Sequence, residues 1–159
     1  MKKILIAIDG SENAMRAVEY AGFQFAGTSD LKITLLHVLP YVPTSFWDDG
    51  HILTEQEREE RRNIVGNWIE GRKLKIEPVF RAAMDVLVSR GIMQEQIEEK
   101  TILDSLDVAE SILEEASDGD YQTIILGRRG LSRAMQFLMG SVTNKVVGHG
   151  AGTAICIVE

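Results

Sequence analysis

Lys2-Lys3-Ile4-Leu5-Ile6-Ala7-Ile8-Asp9-Gly10-Ser11 opens the chain. From Ile4 to Ile8 every residue is apolar and four of the five are isoleucine or leucine. A strand with one wet face alternates apolar and polar residues. An unbroken run marks a strand covered on both faces, the hallmark of a parallel sheet. Asp9-Gly10-Ser11 then breaks the run, and Ser11 suits the N-cap of a helix over Glu12 to Ala26. Within it Ala14, Ala17, Val18, Ala21 and Phe25 recur at helical spacing and predict one buried face.

The same alternation continues. Lys32 to Val38 reads as a second buried strand, ended by Pro40 and Pro43. Thr54-Glu55-Gln56-Glu57 has the form of a capping box, so a helix is expected to start there and run to about Gly71. Pro78 suits a first helical turn, with Val79, Phe80, Ala83, Val86 and Leu87 on one face before Gly91. Proline permits either two helices or one kinked helix here, and two are expected. Ile97 to Leu103 is a weaker strand, and Asp107-Val108-Ala109-Glu110 is another capping box with Val108, Ala109, Ile112, Leu113 and Ala116 behind it. Tyr121 to Leu126, Ser141 to Val147 and Thr153 to Val158 complete the series as strand, helix and strand. Buried strands alternating with amphipathic helices predict an α/β fold, a five-stranded, mainly parallel open sheet with helices on both faces.

Length and composition agree with one domain over residues 1–159, without internal repeat or linker. The segment from Tyr41 to Lys75, with Trp47, Trp68 and many charges, can cap a ligand, form a partner surface or extend a helix layer; extension is the expectation. The apolar share of 45% and charged share of 26% are globular values and exclude a disordered or fibrous chain. No apolar run reaches the roughly 18 residues of a membrane helix, and no secretory leader is visible, so a cytoplasmic protein is expected. Cys156 is alone in the sequence and suits a reducing compartment as a small strand residue. The net charge of −7 disfavours a nucleic-acid partner. Arg128, Arg129 and Arg133 nevertheless cluster in sequence, which points to a small anionic ligand.

Those arginines lie in a second decisive stretch. Thr123-Ile124-Ile125-Leu126 runs into Gly127-Arg128-Arg129-Gly130, followed after nine residues by Gly140-Ser141. A strand ending in glycine admits a ligand close to the backbone, and the amides that open the next helix are unpaired and suited to anionic oxygens. Neither the P-loop nor the dinucleotide fingerprint is present. The spacing, and the order of elements, resemble the universal stress protein family, specifically its ATP-binding branch. The resemblance spans nearly the whole chain and fits poorly only in the middle.

That resemblance implies a sheet of the adenine nucleotide alpha hydrolase type with strand order 3-2-1-4-5. In such a sheet, ligands bind beyond the strands' carboxyl ends where the order reverses, and Asp9 and Gly127 would flank one crevice. Asp9 is then expected to accept from the ribose hydroxyls, or else to serve only as a turn residue. Val38 matches the position whose backbone reads adenine. Gly127 and Gly130 would approach ribose and phosphate, and Gly140, Ser141, Val142 and Thr143 would give amides and hydroxyls to the phosphates. Arg129 sits where the family often has a basic residue. His37 is expected to be structural. Leu131, Ala134, Met135 and Leu138 suggest a helical turn or two in the nine-residue spacer. ATP would bring Mg²⁺ or Mn²⁺ held through its phosphates, with no protein metal cage.

The resemblance further implies a stress-response role and a homodimer, often paired through the final strands, although Ala154 stands where the family usually has proline. Three functions compete on these residues: an ATP-binding regulatory protein, a slow ATP-hydrolysing or nucleotidyl-transferring enzyme, and a nucleotide-free interaction module. Residues for fast phosphoryl transfer are missing, and no catalytic residue is assigned. The sequence leaves ATP, ADP and AMP as alternatives.

Overall fold

The computed structural model describes residues 1–41, 54–131, 139–150 and 152–159. The strands are β1 (Lys2–Ala7), β2 (Leu31–Pro40), β3 (Ile97–Ser105), β4 (Thr123–Gly127) and β5 (Ala154–Val158). The helices are α1 (Glu12–Phe25), α2 (Glu55–Ser89), α3 (Val108–Asp118) and α4 (Ser141–His149). The five strands form one sheet in the order β3-β2-β1-β4-β5. Every pairing is parallel. The expected strand order is therefore found.

β1 is central, with Leu5 and Ile6 wholly buried. Its alternate side chains feed two cores. Ile4, Ile6 and Ile8 pack with Ala17, Val18, Phe80, Ala83 and Leu87 under α1 and α2. Leu5, Leu36, Ala109, Ile112, Leu126 and Val146 pack under α3 and α4 on the other face. This two-sided burial is why the opening run is apolar without alternation.

The side-chain caps work as read at two of three helix starts. Ser11 Oγ accepts from the Ala14 amide at 3.2 Å. At Thr54 the box is reciprocal: Oγ1 accepts from Glu57 N at 3.4 Å while Glu57 Oε2 accepts from Thr54 N at 2.7 Å. At α3 only half of the box forms. Asp107 Oδ1 accepts from Ala109 and Glu110 amides at 2.9 and 3.1 Å, but the Glu110 carboxylate takes the Lys145 ammonium at 2.8 Å instead. A salt bridge to α4 thus replaces the second capping bond. The Asp107 carboxyl is held below its usual value, chiefly by the hydrogen bond from Lys145.

The expectation of two helices between Thr54 and Gly91 is corrected. α2 is one helix of 35 residues with Pro78 inside it. Proline removes the bond its amide would make to the carbonyl four residues back. Here that carbonyl belongs to Leu74, which is 67% exposed, so water can take the bond. Pro78 is itself exposed, on the side away from Ile76 and Phe80, which are buried on the sheet. Packing on both sides of the proline carries the helix through. The described part of the middle segment, from Glu55 to Lys75, is the first part of α2; residues 42–53 lie outside the described residues. No helix among the described residues is long and apolar enough to cross a membrane.

A continuous helix makes a discriminating prediction. Pro78→Ala should raise the urea midpoint, stabilising by about 1–2 kcal/mol as a helix-interior proline is relieved. A proline at the first turn of a separate helix would give no gain or a loss.

Candidate functional site

The order reverses between β1 and β4, which leave β1's following chain to cross one face and β4's the other. Ile4–Ile6 pair with Thr123–Ile125. Asp9 and Gly127 therefore leave neighbouring strands at the same edge, as the crevice rule requires. A cavity of about 440 Å³ opens there. It is within the roughly 300–1,000 Å³ range of small-molecule sites. Asp9, Val38, Gly127, Arg129, Gly130, Gly140, Ser141, Val142 and Thr143 all line it. His37 does not line it.

Both oxygens of Asp9 bind main-chain amides. Oδ1 accepts from Ser11 N at 2.9 Å, and Oδ2 from Leu131 N at 3.0 Å. The first is a local turn contact; the second reaches 122 residues along the chain and ties the glycine segment to β1. A carboxylate oxygen has two acceptor sites, so each retains one for a ligand. Asp9 is the sole carboxylate on the cavity wall among the described residues.

The two halves of the glycine motif are bound to each other. Gly140 N donates to Arg128 O at 2.9 Å, which closes the ends of the nine-residue spacer. Thr143 Oγ1 is buried and donates to Gly127 O at 3.0 Å. The Thr143 hydroxyl thus ties α4 to the end of β4. Arg128 N donates to Val158 O at 2.7 Å, and the Arg128 guanidinium pairs with Glu159. The spacer's expected helical turns, at Ala134, Met135 and Leu138, lie outside the described residues.

α4 begins at this wall. Gly140 is its N-cap without a side-chain capping bond, and the first intrahelical bond runs from Asn144 N to Gly140 O at 2.9 Å. The amides of Ser141, Val142 and Thr143 precede that bond and so have no partner within the helix. They carry the positive end of the helix dipole, the electrostatic match for an anion.

The glycines serve different purposes. A Cβ on Gly127 would stand 2.5 Å from the Asn13 carbonyl carbon and 2.8 Å from Ala14 N, so glycine here is required by the start of α1. On Gly130 it would strike Asp9 Oδ2. On Gly140 it would meet Arg129 Cα at 3.3 Å. Sequence reasoning assigned Gly127 to ligand approach alone and missed this packing role; nothing in a single sequence marks α1 as the neighbour.

His37 has the structural role expected of it. Its Nδ1 is 2.8 Å from Ile8 O. Burial pushes the imidazole below its ordinary pKa, against the pull of the Ile8 carbonyl and Asp9, while Arg72 adds to the lowering. No cluster of three or more His, Cys, Asp or Glu suited to a metal occurs among the described residues.

Fold and cavity together define a doubly wound α/β protein with a ligand-sized crevice at its switch point. The family model described as "Universal stress protein family" matches residues 1–152. Universal stress protein YxiE of Bacillus subtilis (strain 168) is 30% identical over 146 residues, 91% of this chain and 90% of the relative. The chain belongs to the universal stress protein family. Among solved structures, a universal stress protein in complex with cAMP superposes with a TM-score of 0.64 at 21% identity, covering 99% of this chain and 96% of that one. The Archaeoglobus fulgidus universal stress protein in complex with dAMP gives 0.58 at 18% identity, covering 100% and 98%. At these identities the likeness shows the fold.

Two measurements test the geometry. Because the folded pKa of His37 lies below the unfolded value of about 6.5, stability should fall as pH drops below that value; the slope should diminish in His37→Gln, read as urea midpoints between about pH 5 and 8. Gly127→Ala should destabilise the fold by about 1–3 kcal/mol through its clash with α1, with or without ligand. An unchanged midpoint would remove the packing role.

Proposed function

We propose that this protein holds an adenine nucleotide, ATP with Mg²⁺ or Mn²⁺ on its phosphates, and acts in the stress response through nucleotide-dependent conformation or partner binding. One observation carries the reading. Nine residues from four separated parts of the chain line a single cavity beside an uncapped helix N-terminus. The complexes of two related folds with cAMP and dAMP support the adenine class. In this reading Asp9 receives the ribose hydroxyls, the backbone at Val38 meets adenine, Gly127 and Gly130 leave room for the sugar and first phosphate, and Arg129 lies along the phosphates. Gly140 and the amides of Ser141, Val142 and Thr143, with the Ser141 hydroxyl, receive the phosphate oxygens. The metal, when bound, neutralises phosphate charge and is held by phosphate and water.

Binding rather than turnover is the role. Phosphoryl transfer asks for a positioned base, and Asp9 already binds two amides. We place the protein in the cytoplasm as a homodimer paired through β5, a sheet edge where Ile157 is 36% exposed and open backbone groups await a partner.

Titration calorimetry with ATP, ADP, AMP and cAMP, with and without Mg²⁺, tests the reading. ATP should bind with micromolar affinity, and Ser141→Ala and Asp9→Ala should each weaken it by roughly 1.5–3 kcal/mol while the far-ultraviolet dichroism stays unchanged. ATP should stay intact on the time scale of the titration. Full affinity in both variants would refute the assignment, and accumulating ADP would move the protein to the slow-hydrolysis class.

A further inference from the structure

α2 is much longer than the sheet it covers. Its 35 residues span about 50 Å, yet its buried residues, Ile76, Phe80, Ala83 and Leu87, all lie in the second half. Val79 marks the rim: a Cβ on Gly10, just past the end of β1, would lie 3.2 Å from Val79 Cγ2. The turns from Glu55 to Lys75 precede that level, a stretch of about 30 Å along the helix axis.

Charge on these turns is sorted by face. At about 100° per residue, Arg58, Arg61, Arg62 and Arg72 fall within an arc of about 100° that also holds Ile76 and Ala83. This is the same face of α2 that Ile76 and Ala83 turn toward the sheet. Glu55, Glu57, Glu59, Glu60 and Glu70 all fall outside it. Val65 and Ile69 lie between the arginines, and Trp68 lies at the edge of the stripe; all three are half-buried. The Arg72 guanidinium stands 4.9 Å from the Trp68 ring centroid. The Arg58 and Arg62 side chains are 55% and 65% exposed and pair with Glu55 at 3.7 and 3.6 Å. Surface pairs of that kind contribute about 0–1 kcal/mol and are readily exchanged.

We propose that this stripe docks an acidic amphipathic helix of a partner protein. The argument is charge complementarity on a helical repeat. A chain of net charge −7 concentrates arginines along one face. Apolar residues recur among them at positions 65, 68 and 69. A partner helix with leucines on one side and glutamates flanking them matches both features at the same repeat. Arginine, with a planar and weakly hydrated guanidinium, suits carboxylates in a partly apolar setting. A phosphodiester backbone would meet the glutamates on the adjoining faces and leave Val65 and Ile69 without apolar contact. A second copy presenting the same stripe would set arginine against arginine.

The test uses the full chain and a fluorescein-labelled 21-residue peptide, three repeats of Glu-Leu-Ala-Glu-Leu-Leu-Gln, read by fluorescence anisotropy with and without ATP. Saturable binding to the wild type is expected, weakened at least tenfold in Arg62→Glu/Arg72→Glu, with dichroism showing both proteins equally folded. A peptide with lysine for glutamate should prefer the double variant. Equal binding of a scrambled peptide, no binding to the wild type, or failure of the charge swap would overturn the proposal. So would a DNA duplex that displaces the peptide equally well, which would assign the stripe to nucleic acid. A sedimentation mass that halves in the double variant would assign it to a second copy. Binding in the absence of ATP separates this result from the fate of the nucleotide reading.

Discussion

The parallel pairing of β1 with β4 is the constraint on which the candidate site depends. Ile4–Ile6 and Thr123–Ile125 lie side by side, more than a hundred residues apart in sequence. Once they pair, Asp9 and Gly127 must emerge together at one edge of the sheet. The pairing is held by apolar burial: Leu5, Ile6, Ile124 and Ile125 are all fully covered by helices. The crevice is thus a by-product of the core, and hydrogen bonds then define its walls. Asp9 takes the Leu131 amide, Arg128 receives the Gly140 amide, and Thr143 holds the Gly127 carbonyl.

These contacts alter how the glycine-rich motif is understood in this chain. Gly127 is demanded by the backbone at the start of α1, while a Cβ on Gly130 would meet the end of the Asp9 side chain and one on Gly140 would lie 3.3 Å from Arg129 Cα. Packing inside the protein thus bears on the motif, most strongly at Gly127. Their spacing is tied to contacts within the fold as much as to the outline of a ligand. Asp9 likewise serves two ends, organising the loop while keeping acceptor sites open.

Much of the fold was legible because its signals are local. An apolar run without alternation marks a strand buried on both faces, and Ser11 and Thr54 mark helix starts through bonds made within three residues. The residues that line the crevice were legible through motif and strand order. What escaped notice depends on neighbours distant in sequence. The continuity of α2 through Pro78 comes from packing of Ile76 and Phe80 on the sheet, and outweighs a local signal. The half-formed box at Asp107 is decided by Lys145, 38 residues on. Gln96, which closes the β3 entry by donating to the carbonyls of Thr28, Ser29 and Leu31, carries no mark in its own neighbourhood. The bond from the Thr143 hydroxyl to the Gly127 carbonyl, 16 residues back, carries no local mark either.

A helix whose second half alone is buried has two thermodynamic identities. From Ile76 to Leu87 its backbone bonds open only with the core, so their amide protons should exchange with solvent at the rate of global unfolding. From Glu55 to Lys75 no residue is fully buried, so these bonds should open before those of the core. Whatever settles on those turns therefore changes the length of rigid helix more than the packing of the core. A contact there can be made or lost without disturbing the sheet beneath.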